Sequence, residues 1–148
     1  MVYMGVDASG RRSSRLEIIG IQGIPDVKAG DDLAEVIVGA VGRQGLSFVE
    51  GDVLVVTQKI VSKAEGRVVE LSRVEPSGFA LRLGRRFDKD PRLVEVILSE
   101  ARRVVRMERG VIIVETRHGF VCANAGVDQS NVRSGYVSLL PSSPDRSA

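Results

Sequence analysis

Apolar positions recur along the chain in two rhythms, strand-like runs and helical spacing, and the changes between them divide it into elements. Leu16 to Ile21 (LEIIGI) is rich in β-branched residues and predicts a strand, after which GIPDVKAGDD is loop chemistry punctuated by Gly23, Pro25 and Gly30. From Asp31 the spacing becomes helical. Leu33, Val36, Ile37, Ala40 and Val41 share one face, Asp31 or Asp32 can cap the start, and Gly45 is a natural stop. After Gly51 and Asp52, the run VLVVTQKIVSK reads as a buried strand that turns polar toward its end. Extended, it sets Lys59, Val61 and Lys63 on one face and Gln58, Ile60 and Ser62 on the other. AEGRVVELS predicts a turn at Gly66 and a short strand, and Pro76 breaks the chain before a helix over Gly78 to Arg86. Asp90-Pro91 supplies a cap and a first-turn proline for a second amphipathic helix carrying Leu93, Val94, Ile97, Ala101 and Val104. Val111 to Glu115 and Phe120 to Ala123, joined by Thr116-Arg117-His118-Gly119, predict a hairpin. AGVDQSNV then reads as a loop at a sheet edge, and Tyr136 to Leu140 as one more strand.

Two main helices and a closing hairpin, without regular βαβ alternation, predict an α+β domain with a mixed, largely antiparallel sheet; α/β is the alternative. Residues 1–15 are polar and without period, which predicts a flexible leader ahead of a domain over residues 16–148. The similar words DLAEVIV and RLVEVIL need only be two amphipathic helices of one pattern.

Composition narrows the class. The 148 residues are 43% hydrophobic and 27% charged, with 21 basic and 19 acidic side chains, as in an ordinary globular domain. At this length a core of adequate size forms without disulfides or metals, so stability alone explains no special residue. One cysteine, Cys122, and one histidine, His118, cannot by themselves form a disulfide or a zinc site. The apolar runs are of strand length and the N-terminus lacks an apolar signal core, which makes the cytoplasm the expected location and a membrane an unexpected partner. Charge is uneven under the small net value. Between Asp26 and Asp52 six acids face two bases, while Arg82 to Arg109 holds nine bases and five acids. Arg102, Arg103, Arg106 and Arg109 interleave with Glu100 and Glu108 as on a solvated helix end, and stacking aromatics are scarce, so nucleic acid is not an expected partner.

Two segments carry candidate chemistry. The polar end of the run Val55 to Lys63 delivers Lys59, Lys63, Gln58 and Ser62; Lys63 can donate to phosphate oxygens as a compact charge, and Thr57, Gln58 or Ser62 can orient a base or sugar. By residue type alone the same lysines read more readily as solvated at a strand terminus, since nothing like a P-loop is present. In NAGVDQSN, Asp128 sits among amides and hydroxyls and suits a hard divalent cation shared with phosphates, or else a plain turn. Arg117 and His118 lie at a hairpin tip with no nucleophile at motif spacing, and Cys122 reads as a small buried hydrophobe.

The words IIGIQGIPDVKAGDDLAEVI, EGDVLVVTQKIVSKAEGRVVEL, DPRLVEVIL and VIIVETRHGFVCANAGVDQSNV, in this order and spacing, closely resemble the N-terminal half of the coenzyme F-420-0:L-glutamate ligase family, also called coenzyme F-420 gamma-glutamyl ligases. The likeness runs from about Leu16 to Ala148. It implies a GTP-dependent ligase that joins L-glutamate through its amine to the carboxylate of coenzyme F-420-0 by way of an acyl phosphate, then adds further γ-linked glutamates. It also implies a divalent metal, Mg²⁺ or Mn²⁺, with K⁺ as a candidate further ion, and a homodimer. Carried over by motif, Ile24, Pro25, Asp26 and Val27 line the GTP site with Gln58 and Lys63 beside them, Asn131 also contacts nucleotide, and Asp128 binds the metal. No catalytic residue follows from the likeness. Gln58 stands where relatives carry serine, which weakens its transfer. Family members continue beyond the point matching Ala148 with an Asp-Thr pair expected to add metal ligands, so this polypeptide alone is expected to be an incomplete ligase.

Overall fold

The computed structural model describes residues 2–6, 12–143 and 147, with 2–6 and 12–16 described by their backbone alone. Strands β1 (Val2–Val6) and β2 (Arg12–Leu16) pair antiparallel, Val2 opposite Leu16. The predicted leader thus contains a paired hairpin, while its residues 1 and 7–11 lie outside the described residues. The strand expected over Leu16 to Ile21 is not formed. β2 ends at Leu16, and Ile18 and Ile19 lie exposed in irregular chain.

Helix α1 spans Leu33–Arg43, and Asp32 caps it by accepting from the Glu35 N–H at 3.0 Å. Its buried face is Ile37, Ala40 and Val41, as the spacing predicts. The segment read as a buried strand departs from expectation in two ways. Val53, Leu54 and Val55 are 69%, 48% and 88% exposed, with no ladder partner among the described residues. A strand exists only by pairing, and apolar composition cannot supply the partner. From Gln58 the chain is helical instead, α2 running Gln58–Ala64 with Thr57 at its N-cap and Gly66 (φ +67°) just past its end. The proposed extended faces are therefore wrong, and Lys59 and Lys63 stand one turn apart on one side.

β3 (Val68–Glu70) and β7 (Tyr136–Ser138) form a short antiparallel pair with Val69 opposite Val137. A single 3₁₀ turn, Leu71–Arg73, follows β3. Helices α3 (Gly78–Phe87) and α4 (Pro91–Ser99) start where Ser77 and Asp90 cap them. The second of these stops short of the predicted Ala101 and Val104. Those residues begin β4 (Ala101–Glu108), which pairs antiparallel with β5 (Val111–Thr116), itself paired with β6 (Val121–Ala123). ARRVVR suits a helix or a strand by composition, and the ladder to β5 decides it. The arginines expected on a solvated helix end are strand residues, with Arg102 and Arg103 paired to Glu115 at 3.2 and 2.6 Å.

Two cores share α4. Val94 and Ile97 pack with Ala80 and Leu83 of α3, Ile112 and Val114 of β5, and Ala125. Val96, on another side of α4, packs with Leu71, Val137 and Leu139. Four helices and antiparallel sheets among the described residues make the α+β class correct. No helix among the described residues is long and apolar enough to cross a membrane.

Candidate functional site

Helix α2 carries the first of the two segments with candidate chemistry and touches the second through Lys59. At its start, Gln58 Nε2 donates to Ser62 Oγ at 2.6 Å and to the Leu139 carbonyl at 3.1 Å, tying the helix to the chain leaving β7. Ser62 is fully buried, so this amide–hydroxyl bond also satisfies a polar group removed from water. Gln58 is thus partly spent on structure.

On the next helical face Lys59 Nζ lies 2.5 Å from Asp128 Oδ2 and also donates to Ser130 Oγ. Asp128 is fixed by more than this pair. Its backbone exchanges hydrogen bonds with Ser138 of β7 (3.0 and 2.8 Å), and its carboxylate accepts from the Ser130 N–H at 2.9 Å and the Ser130 hydroxyl at 2.8 Å. The Lys59 hydrogen bond, followed by those from Ser130, holds the Asp128 carboxyl down at about 2. A carboxyl so acidic stays ionised at any ordinary pH and is a poor proton shuttle. It is a fixed anion, suited to a cation.

One turn along, Lys63 Nζ donates to Asp26 Oδ1 at 2.8 Å and lowers the Asp26 carboxyl below its usual range. That contact joins α2 to the Ile24-Pro25-Asp26-Val27 loop, and a Gly30 N–H to Ala64 carbonyl bond of 2.8 Å fastens the loop again at the helix end. From the other side, Arg43 of α1 donates to the Gly23 carbonyl, and Gln44 both accepts from the Gln22 N–H and donates to the Gly20 carbonyl. Val27 is buried and anchors the loop, while Pro25 and Asp26 face solvent.

The structure therefore brings Asp26, Gln58, Lys63 and Asp128 onto one short helix's surroundings, as contacts of α2. Asn131 lies in the same loop as Asp128, exposed and at φ +57°, a conformation asparagine tolerates better than most residues; no hydrogen bond ties it to α2 among the described residues. Sequence reasoning saw Lys59 but gave it no role, and missed Ser130. Read as a helix, QKIVSK places Lys59 and Lys63 at i and i+4, and that spacing is the signal that finds Lys59.

Arg117 and His118 are engaged with backbone: Arg117 donates to the Ser99 carbonyl, and His118 Nε2 lies 3.1 Å from the Ser142 carbonyl oxygen. Cys122 is only partly buried, not the buried hydrophobe expected, and that partial burial raises its thiol. No three His, Cys, Asp or Glu side chains converge among the described residues. Asp128 and the Ser130 hydroxyl nevertheless offer hard oxygen donors in the style of a cation shared with phosphates, and Mg²⁺ or Mn²⁺ fits such a set.

A family model described as F420-0:Gamma-glutamyl ligase matches residues 21–148. A Coenzyme F420:L-glutamate ligase of Methanothermobacter thermautotrophicus is 47% identical over 133 residues, 90% of this chain and 53% of the relative. Its namesake in Methanopyrus kandleri is 53% identical over 122 residues, covering 82% and 46%, and that of Methanocaldococcus jannaschii 39% identical over 140 residues, covering 93% and 53%. The chain spans about half the length of the curated relatives it matches. A match over residues 21–148, with relatives up to 53% identical, shows that the chain belongs to the F420-0:gamma-glutamyl ligase family.

Proposed function

We propose that this chain carries part of the site of a GTP-dependent ligase that joins L-glutamate to the carboxylate of coenzyme F-420-0, and then adds further γ-linked glutamates. The observation supporting it is that one helix, α2, presents Lys63 to the 24–27 loop and Lys59 to Asp128, so a phosphate-binding cation and a cation-binding anion stand on neighbouring segments. In the reaction a carboxylate oxygen of F-420-0 attacks the γ-phosphorus of GTP, and GDP leaves. The glutamate amine then attacks the acyl carbon, phosphate departs, and the nitrogen loses its proton.

Each residue has a part in binding. Lys63 exchanges its exposed partner Asp26, 80% accessible, for phosphate oxygens, an exchange of one solvated ion pair for a charge-assisted contact. The 24–27 loop offers backbone groups beside it, and Gln58 and Asn131 offer amides. Asp128 with Ser130 would hold Mg²⁺ or Mn²⁺, which when bound neutralises phosphate charge. Lys59 balances Asp128 in the free protein and turns to phosphate when the carboxylate is engaged.

A second reading, a nucleotide-binding or assembly module without catalysis, is favoured because no three His, Cys, Asp or Glu side chains converge around Asp128 among the described residues. Titration of a fluorescent GTP analogue with and without Mn²⁺, beside mass spectrometry of F-420-0 incubated with glutamate and GTP, tests both. Metal-dependent binding that Asp128→Ala weakens at least tenfold supports the site. Glutamylated product supports the ligase, and binding without product supports the module. Equal affinity with and without metal overturns the role of Asp128.

A further inference from the structure

On the side of Asp128 toward α4 lies a cavity of about 230 Å³ whose polar rim is Lys89, Asn124, Asp128 and Gln129 and whose floor includes Leu93 and Ile97. We infer that this cavity is an anion subsite, in which the Lys89 ammonium and the side-chain amides of Asn124 and Gln129 hold a carboxylate or phosphate group next to Asp128. The inference deepens the proposed function and rests on it only for the identity of the anion.

Three observations carry the assignment. First, Lys89 is half-buried on the rim and takes part in no ion pair among the described residues, although acids flank it on both sides in sequence. Asp90 is spent on capping α4 and on Arg92, whose Nη2 lies 2.7 Å from it. Second, the backbone that carries the lysine is held in place. Its N–H donates to the Gly84 carbonyl at 3.0 Å, and the turn packs so closely on α3 that a Cβ on Gly84 would sit 2.8 Å from the Lys89 carbonyl oxygen. With its backbone fixed at the cavity wall, Lys89 has only its side chain to order when an anion binds.

Third, the charge balance favours an anion in spite of Asp128. That carboxylate is compensated by Lys59 at 2.5 Å, so Lys89 is left as the uncompensated charge on the rim. Asn124 accepts the Ile112 N–H with Oδ1 at 3.4 Å, which leaves its NH₂ to donate elsewhere. Ile97 is fully buried beneath, and an apolar floor strengthens the hydrogen bonds made above it. Size selects among ligands. Cavities for drug-sized molecules run to about 300–1,000 Å³, so this smaller one suits a carboxylate arm or a phosphoryl group and not a whole nucleotide. In the proposed reaction those are a carboxylate of the incoming glutamate, or phosphate transferred and released.

The test adds inorganic phosphate and, separately, L-glutamate to the ¹⁵N-labelled chain at constant ionic strength, following amide shifts of Lys89, Asn124 and Gln129. Saturable shifts at these three residues with either probe are expected, and the probe that produces them names the source of the anion. Lys89→Gln is expected to weaken that binding by about tenfold or more and Lys89→Arg to keep most of it. Thermal melts check that both variants fold. Absence of saturable shifts with both probes, or a folded Lys89→Gln that binds like the parent, overturns the subsite. The proposed function is read independently by Mn²⁺-dependent GTP-analogue binding, so saturable phosphate binding at Lys89 without any GTP binding would fail that reading and leave the subsite standing.

Discussion

Replacing Lys59 by methionine removes the ammonium 2.5 Å from Asp128 Oδ2 while keeping most of the aliphatic stem. Asp128 should then lose the first cause of its low pKa and move from about 2 back toward 3.8, stopping short because Ser130 still donates twice to the carboxylate. The full displacement from 3.8 to about 2 corresponds to about 2.4 kcal/mol at 1.36 kcal/mol per unit. That figure is an upper bound, because the Asp128 side chain is 37% exposed and water screens the pair. After discounting for this, about 0.5–1 kcal/mol is the expected loss of stability at neutral pH. Its pH dependence has a definite sign. The folded-state pKa is depressed, so the contribution is complete above about 3.8 and disappears as pH falls toward about 2. Urea denaturation of parent and variant at pH 7 and again near pH 3 should show the gap narrowing, and carbon-detected carboxyl titration should show the pKa rising. An Asp128 pKa unchanged in the variant would refute Lys59 as its governing partner.

Other perturbations probe the frame around the site. Glu100 is buried and pairs with Arg67 at 2.7 Å, with Arg117 at 3.8 Å. Glu100→Gln leaves Arg67 without its counter-charge and should cost about 2–3 kcal/mol, read as a lower urea midpoint with an unchanged slope; a loss under about 0.5 kcal/mol would show the pair to be dispensable. Gly126→Ala places a Cβ 2.8 Å from Leu140 Cγ at a φ of +70°, so about 1–3 kcal/mol of destabilisation is expected in thermal melts, and an unchanged melting temperature would show that Leu140 can swing away.

Much of the frame can be read from local sequence. Asp32 and Asp90 announce two helices because a cap needs only a side-chain oxygen within reach of the first turn, and each does accept such a bond. The β5–β6 hairpin is legible for a similar reason, its turn joining two short apolar runs. What local pattern cannot supply is a partner. Val53 to Val55 has the composition of a buried strand and is exposed because no chain among the described residues pairs with it, whereas ARRVVRME, with helical spacing in its favour, becomes β4 because β5 lies alongside. The site divides in the same way. Residue types and family words single out Lys63, Asp26 and Asp128, but only the winding of residues 58–64 into a helix joins them through one element and brings Lys59 to Asp128. Lys89 is the extreme case. In sequence it is one base between two acids, and the packing of its turn against α3, with Asp90 diverted to a cap and to Arg92, is what leaves its charge on the rim of a cavity. Chain neighbours fix which conformations are cheap, while the pairing of distant segments fixes which groups are buried, balanced or left to bind.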